Sequence, residues 1–162
     1  MALLRIRQFG DPVLRQKCKR VPAIGEAVQN LIDDMIETMG ENYGAGLAAP
    51  QVGKILRVVV LQTPEIEPFA LINPQIIKRS GMMEVGEGCL SYPGYMGEIK
   101  RSEKVTVKGL DREGKEVRIK ASEFLAQALE HEIDHLNGIL YIDHLESADK
   151  LHKVGPHDLA EL

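Results

Sequence analysis

From Glu26 to Met39 the apolar residues Val28, Leu31, Ile32, Met35, Ile36 and Met39 recur at helical spacing. They predict an amphipathic helix burying one face, with Gly40 placed to stop it. Its methionines read as core filling rather than as a cofactor box. The β-branched run Ile55–Leu61 and the shorter Phe69–Ile72, which halts before Asn73-Pro74, predict strands. Further on, Val105 and Val107 alternate with Lys104, Thr106 and Lys108, and Val117 and Ile119 alternate with Glu116, Arg118 and Lys120. The turn sequence Asp111-Arg112-Glu113-Gly114 lies between them, so the two runs predict an antiparallel hairpin. The charged run Lys100–Lys104 reads as a solvated loop leading into it. Ser122 is placed to N-cap a second helix reaching about Asn137, with Gly138 as its stop. Strands do not alternate regularly with helices, which favours α+β with antiparallel sheets over a doubly wound fold. No repeat or linker-like tract divides the chain, so residues 1–162 read as one domain.

Composition narrows the function classes. The 162 residues are 44% hydrophobic, enough for a core without staples, and two cysteines cannot build a disulfide framework. A formal net charge of −4 argues against nucleic-acid binding through bulk positive charge. With 4% aromatics and no Trp, base stacking is not an expected task. Charge interrupts the opening residues too early for an export signal, and no apolar run approaches the roughly 20 residues of a membrane span. The expectation is a soluble, cytosolic protein.

The chemistry begins on the second helix. Leu125, Leu129, Ile133 and Leu136 form one stripe along it; Phe124, Ala128, His131 and His135 form another. His131-Glu132-Ile133-Asp134-His135 is an H-E-x-x-H motif, in which residues i and i+4 share a face and can reach one ion. Glu132 lies beside them, able to handle a proton on water. The alternative is two histidines on a partly exposed face. A catalytic site needs a third protein ligand and an open position. Two common zinc-protease completions fail: Tyr141 stands where a metzincin third histidine belongs, and Gly155 where a downstream glutamate does. The best remaining donor is Cys89, in Glu87-Gly88-Cys89-Leu90-Ser91, although a buried small hydrophobe is the ordinary role of a free cysteine. Cys18 sits among Lys17, Lys19 and Arg20, surroundings expected to lower a thiol's pKa, but with no histidine near it in sequence it reads as an incidental thiol. His144, His152 and His157 read as surface histidines. The small-residue segment Gly44–Gly53 can lie against a ligand, and the Gln51 amide can donate to an anionic oxygen.

Three segments in order, Gly44-Ala45-Gly46-Leu47-Ala48-Ala49-Pro50-Gln51, Glu87-Gly88-Cys89-Leu90-Ser91 and His131–His135, resemble the signature motifs of peptide deformylases, as does Gly10–Arg15. The resemblance implies antiparallel sheets packed around a central helix carrying the H-E-x-x-H motif. It implies metal ligands Cys89, His131 and His135 around ferrous iron (Fe2+), with Ni2+, Co2+ or Zn2+ as substitutes. The implied reaction is hydrolytic removal of the formyl group from formylmethionine at the N-terminus of nascent polypeptides. Glu132 would be the general base, and the Gln51 amide and Leu90 backbone N–H the donors to the developing oxyanion. Backbone contacts from Ala45, Gly46 and Gly88 would hold the peptide, and transient work at the ribosome is a further implication. Phe124 and Ala128 are candidates for the wall of the methionine slot, or for ordinary core packing. Glu87 is expected to pair with Arg101, and Asp134 to orient rather than react. A thiolate–Fe(II) site should be oxygen-sensitive. Two other classes share parts of this pattern: a metallopeptidase cleaving internal bonds, and a binding module with a structural metal, which would have no use for Glu132.

Overall fold

A computed structural model describes residues 2–155; Met1 and residues 156–162, His157 among them, lie outside the described residues. The one-domain reading of residues 1–162 therefore extends past them at both ends. In chain order the elements are α1 (Glu26–Glu41), β1 (Gly46–Ala48), β2 (Val58–Thr63), β3 (Ile66–Ser80), β4 (Met83–Cys89), β5 (Tyr92–Arg101), β6 (Lys104–Leu110), β7 (Glu116–Ser122), α2 (Glu123–Leu136) and β8 (Leu151–Lys153). Every strand pairing is antiparallel: one sheet runs β1-β2-β3-β6-β7 and a second runs β4-β5-β8. This is the α+β arrangement expected.

The first sheet carries a helix on each face. On β2, Val58 and Val60 pack with Ile32 and Met35 of α1, whereas Val59 and Leu61 pack with Leu129 and Ile133 of α2. Burial on both faces explains why β2 reads as a continuous apolar run rather than an alternating one. Each such side chain contributes about 1.5–3 kcal/mol on leaving water. Helix α2 is thus held between the two sheets, touching strands of both.

Several boundaries differ from expectation. Helix α1 continues through Gly40 to Glu41, and its C-terminal turn closes one step later. There Tyr43 N–H donates to Gly40 O (3.2 Å) and Gly44 N–H to Met39 O (3.0 Å), with Tyr43 at φ +55° in the left-handed position where glycine is usual. Helix α2 ends as expected: Gly138, at φ +74°, donates to His135 O, and Ile139 N–H donates to Asp134 O. Ser122 holds the N-cap position of α2 without a side-chain cap hydrogen bond. The run Ile55–Leu61 becomes strand only from Val58. Strand β3 does not stop at Asn73-Pro74 but runs through them with a register shift. Asn73, at φ +53°, bonds both backbone groups of Val21 with its side-chain amide, which anchors the irregular residue. Finally, Lys100 and Arg101 belong to β5, not to a solvated loop, and Arg101 is buried.

Candidate metal centre

Four local structures converge on one point. Strand β4 ends at Cys89 and delivers its thiol. Helix α2 presents His131 and His135 on one face, as i,i+4 spacing requires. The tight turn Ala49–Val52 after β1 places Gln51, and β1 itself passes under Glu132. Cys89, His131 and His135 are buried, and their ligand atoms all lie within 4.8 Å of one another. Cys89 Sγ stands 3.4 Å from His135 Nε2, which stands 3.1 Å from His131 Nε2. Tetrahedral ligation at usual metal–sulfur and metal–nitrogen lengths requires S···N and N···N separations of ~3.6 and ~3.3 Å. The three donors therefore fit a single divalent ion closely. One thiolate and two imidazoles suit a transition metal rather than calcium or magnesium.

The surrounding groups fix the ligands. His131 Nδ1 donates to Glu87 Oε2 at 2.5 Å, which leaves Nε2 as the donor toward an ion. Glu87 is in turn clamped by Arg101, whose Nε and Nη2 donate to its two oxygens at 3.0 and 2.6 Å. The remaining Arg101 arm donates to Asp134 Oδ2 at 2.7 Å, and His144 contacts the same oxygen at 2.8 Å. The expected Glu87–Arg101 pair is present, and Asp134 meets the same guanidinium on its other side. Burial pushes the Glu87 carboxyl up, but His131 and Arg101 outweigh it and hold the group down at about 2. Burial pushes His131 down, but Glu87 above all, with Glu132 and Cys89, outweighs it and holds its pKa well above the usual value.

Glu132 is fully buried, and neither carboxylate oxygen has a hydrogen-bond partner among the described residues. Burial pushes its carboxyl up to about 7 against the pull of His131. A Cβ added at Gly46 would stand 2.3 Å from Glu132 Oε2, so it is the absence of a side chain at Gly46 that lets the carboxylate sit where it does above β1. His135 Nδ1 likewise has no hydrogen-bond partner among the described residues. Gln51 is held by its own oxygen, which accepts the Ala48 N–H at 2.9 Å. Its Nε2 donates to Ser91 Oγ (3.1 Å) and points at Cys89 Sγ (3.6 Å).

The other residues singled out from sequence fall unevenly. Leu90 follows Cys89 directly and is buried. Ala45 leads into β1, an edge strand paired among the described residues with β2 alone, and Gly88 lies in β4, the edge of the second sheet. Ala128 is wholly buried within the core cluster over the first sheet, whereas Phe124 is 38% exposed. His144 pairs with Asp134 and the exposed His152 with Glu98. Cys18 corrects an expectation: it is buried, and burial pushes its thiol up to about 11 despite Arg57 nearby. Its basic sequence neighbours Lys17, Lys19 and Arg20 are exposed, pointing away from it. Sequence reasoning missed Gln127, which donates to Glu87 Oε1 (3.2 Å) and Gly86 O (3.3 Å). Its position four residues before His131, on the same helix face, is the signal that could have found it.

Residues 3–151 match the family model described as polypeptide deformylase. A peptide deformylase of Dehalococcoides mccartyi is 60% identical over 159 residues, covering 98% of this chain and 95% of that protein. The crystal structure of a peptide deformylase from Legionella pneumophila superposes with a TM-score of 0.88 at 44% identity, covering 92% of this chain and 89% of that one. The peptide deformylase of Synechococcus elongatus, solved in complex with actinonin, gives 0.88 at 40% identity over 91% and 81% of the two chains.

Proposed function

The chain belongs to the polypeptide deformylase family and is a metal-dependent hydrolase that removes the N-formyl group from newly made polypeptides; from that premise we propose how its residues divide the work. The observation that carries the assignment is the Glu132 carboxylate, wholly buried and without a hydrogen-bond partner among the described residues, beside three converging ligand atoms. A structural metal site has no use for such a group, and keeping it there costs desolvation free energy. Bound by Cys89, His131 and His135, a divalent ion supplies positive charge that polarises the formyl carbonyl and acidifies water.

Glu132 takes a proton from the attacking water as its oxygen bonds to the formyl carbon. It returns that proton to the amine as the C–N bond breaks, releasing formate and a free N-terminus. Burial raises this carboxyl and the charge of a bound ion would lower it, and a group balanced in that way can both take and return a proton. Negative charge growing on the formyl oxygen is met by the Gln51 amide and the Leu90 backbone N–H. Gln51 Nε2 exchanges its long contact to Cys89 Sγ for the oxyanion, since sulfur is the weaker acceptor. The peptide lies extended against the edge strands, paired with the backbone of Ala45, Gly46 and Gly88, which makes recognition tolerant of sequence. Phe124 and Ala128 border the slot for the methionine side chain. We assign Fe2+ as the working ion, Ni2+, Co2+ and Zn2+ being substitutes, and place the enzyme in the bacterial-type cytoplasm, acting transiently beside the ribosome over one catalytic domain.

The test is formate release from a formyl-Met dipeptide by anaerobic, iron- or nickel-loaded protein alongside its Glu132→Ala variant. Release that vanishes in a folded, metal-retaining variant supports the assignment. No release by the wild type, or cleavage of internal bonds in unformylated peptides, rejects it in favour of a metallopeptidase.

A further inference from the structure

The outer face of the β3–β6–β7 portion of the first sheet carries an unbalanced positive charge. Strand register places Lys104 opposite Ser122, Thr106 opposite both Lys78 and Lys120, and Lys108 opposite Arg118. Residues opposite one another share a face, so Lys78, Lys104, Lys108, Arg118 and Lys120 all project from the same side. The valines between them, Val105 and Val107, point into the core. Arg79 confirms the alternation: it turns to the other side, where it pairs with Glu130 at 3.0 Å. Between these strands lies a shallow depression of about 600 Å³ whose lining includes Lys78, Lys104, Arg118 and Lys120, and no acidic residue among those described. Three hydroxyls, from Ser80, Thr106 and Ser122, complete its polar lining.

Within a chain of net charge −4 this concentration is not a by-product of composition. Lys108 and Arg118 stand directly opposite each other, an arrangement that destabilises a sheet. The acid at the edge of the face, Glu116, reaches only Lys108, at 3.5 Å. Cations interspersed with hydroxyl donors around a hollow are the chemistry that contacts phosphate oxygens of a nucleic-acid backbone. The chemistry at the metal centre uses none of these residues.

We propose that this face docks the sugar–phosphate backbone of RNA. The choice of RNA over other polyanions rests on the proposed function, in which the substrate is a nascent polypeptide still close to the RNA-rich particle that makes it. The face would raise the local concentration of enzyme where formylated N-termini emerge, without contributing to the chemical step. Net negative charge elsewhere keeps the interaction weak and salt-sensitive, as repeated release requires.

The test uses the metal-loaded protein and a fluorescently labelled, mixed-sequence RNA hairpin, titrated from about 50 to 200 mM salt. A Lys104→Gln/Arg118→Gln/Lys120→Gln variant is compared with Lys17→Gln/Lys19→Gln/Arg20→Gln, which removes equal charge from exposed positions elsewhere. The expected result is salt-dependent binding by the wild type. The sheet variant should lose about tenfold or more in affinity and reduce the log–log salt slope by about 3, against little change in the control. Formyl-Met dipeptide turnover, measured on the same samples, should be equal in all three proteins. Absence of RNA binding by the wild type overturns the proposal, as does equal loss in both variants. Binding to phosphatidylserine vesicles in place of RNA also overturns it. Loss of dipeptide turnover in the wild type would instead indict the proposed function.

Discussion

Substituting Gly46 by alanine separates the placement of the general base from the integrity of the fold. The new Cβ would stand 2.3 Å from Glu132 Oε2, 2.8 Å from Cδ and 2.9 Å from Cγ. Relieving the closest of these to an ordinary contact of ~3.4 Å requires a displacement of about 1.1 Å. The backbone is poorly placed to supply it, because Gly46 pairs with Leu61 and the adjoining Ala45 carbonyl accepts the Gln62 N–H at 2.9 Å. The carboxylate moves instead. A misplacement of ~1 Å typically costs about 10²-fold in rate. Stability responds far less: alanine gains about 0.5–1 kcal/mol by restricting the unfolded chain, against about 1–3 kcal/mol for overpacking.

The assay is kcat/KM for formyl-Met peptide hydrolysis together with bound metal per chain and the urea midpoint. Gly40→Ala serves as the backbone reference, since nothing lies within 4 Å of a Cβ at that helical position. It should stabilise by about 0.5–1 kcal/mol and leave turnover unchanged. Gly46→Ala should lose about 10²-fold in kcat/KM with metal retained. Adding it to Glu132→Ala should cost almost nothing further, because both changes act through one carboxylate. Turnover within threefold of wild type, or a loss that tracks loss of metal, would refute the idea that this contact positions the base.

Three other substitutions probe separate parts of the structure. Gln51→Ala removes one donor to the oxyanion and should lower kcat by ~10²–10³ with little change in bound metal; an unaltered kcat in peptide hydrolysis assays would remove Gln51 from the mechanism. Tyr43→Gly relieves a left-handed residue at φ +55° whose ring is 89% exposed and so loses little packing. A gain of about 0.5–1 kcal/mol by urea denaturation with an unchanged m-value is expected; destabilisation would mean that the ring packs in solution. Glu87, at about 2 against an ordinary 4.5, contributes stability that is present above pH ~4.5 and is lost as pH falls toward 2. In chelator-treated protein that loss should be about 3 kcal/mol, and much smaller in Glu87→Gln; parallel acid-unfolding curves for the two proteins would contradict the assignment.

Legible in the amino-acid sequence is whatever repeats with a regular period. The helical spacing of His131 and His135 puts both ligands on one face, and the alternation around Val105 and Val117 sets the β6–β7 hairpin. The second sheet escapes because Glu87 breaks the alternating series Met83, Val85 and Cys89, and Gly86 and Gly88 weaken the strand propensity of β4, whose pairing with β5 is set by tertiary contacts. Arg101 is hidden in the same way. Within Lys100–Lys104 it looks like one more solvated charge, yet pleating sends Lys100 outward and Arg101 inward to Glu87. Cys18 misleads for the complementary reason, since its basic neighbours along the chain are exposed and not neighbours in space. A motif can therefore nominate Glu87, Cys89 and Glu132, but not what holds them. Arg101 clamps Glu87, which orients His131, and the missing Cβ of Gly46 makes room for Glu132. Chemistry-bearing residues are named by their type and spacing, whereas their alignment is built from ordinary residues drawn from distant segments. The Gly46→Ala and Glu87→Gln variants are informative because they leave the metal ligands and Glu132 intact and alter only that alignment.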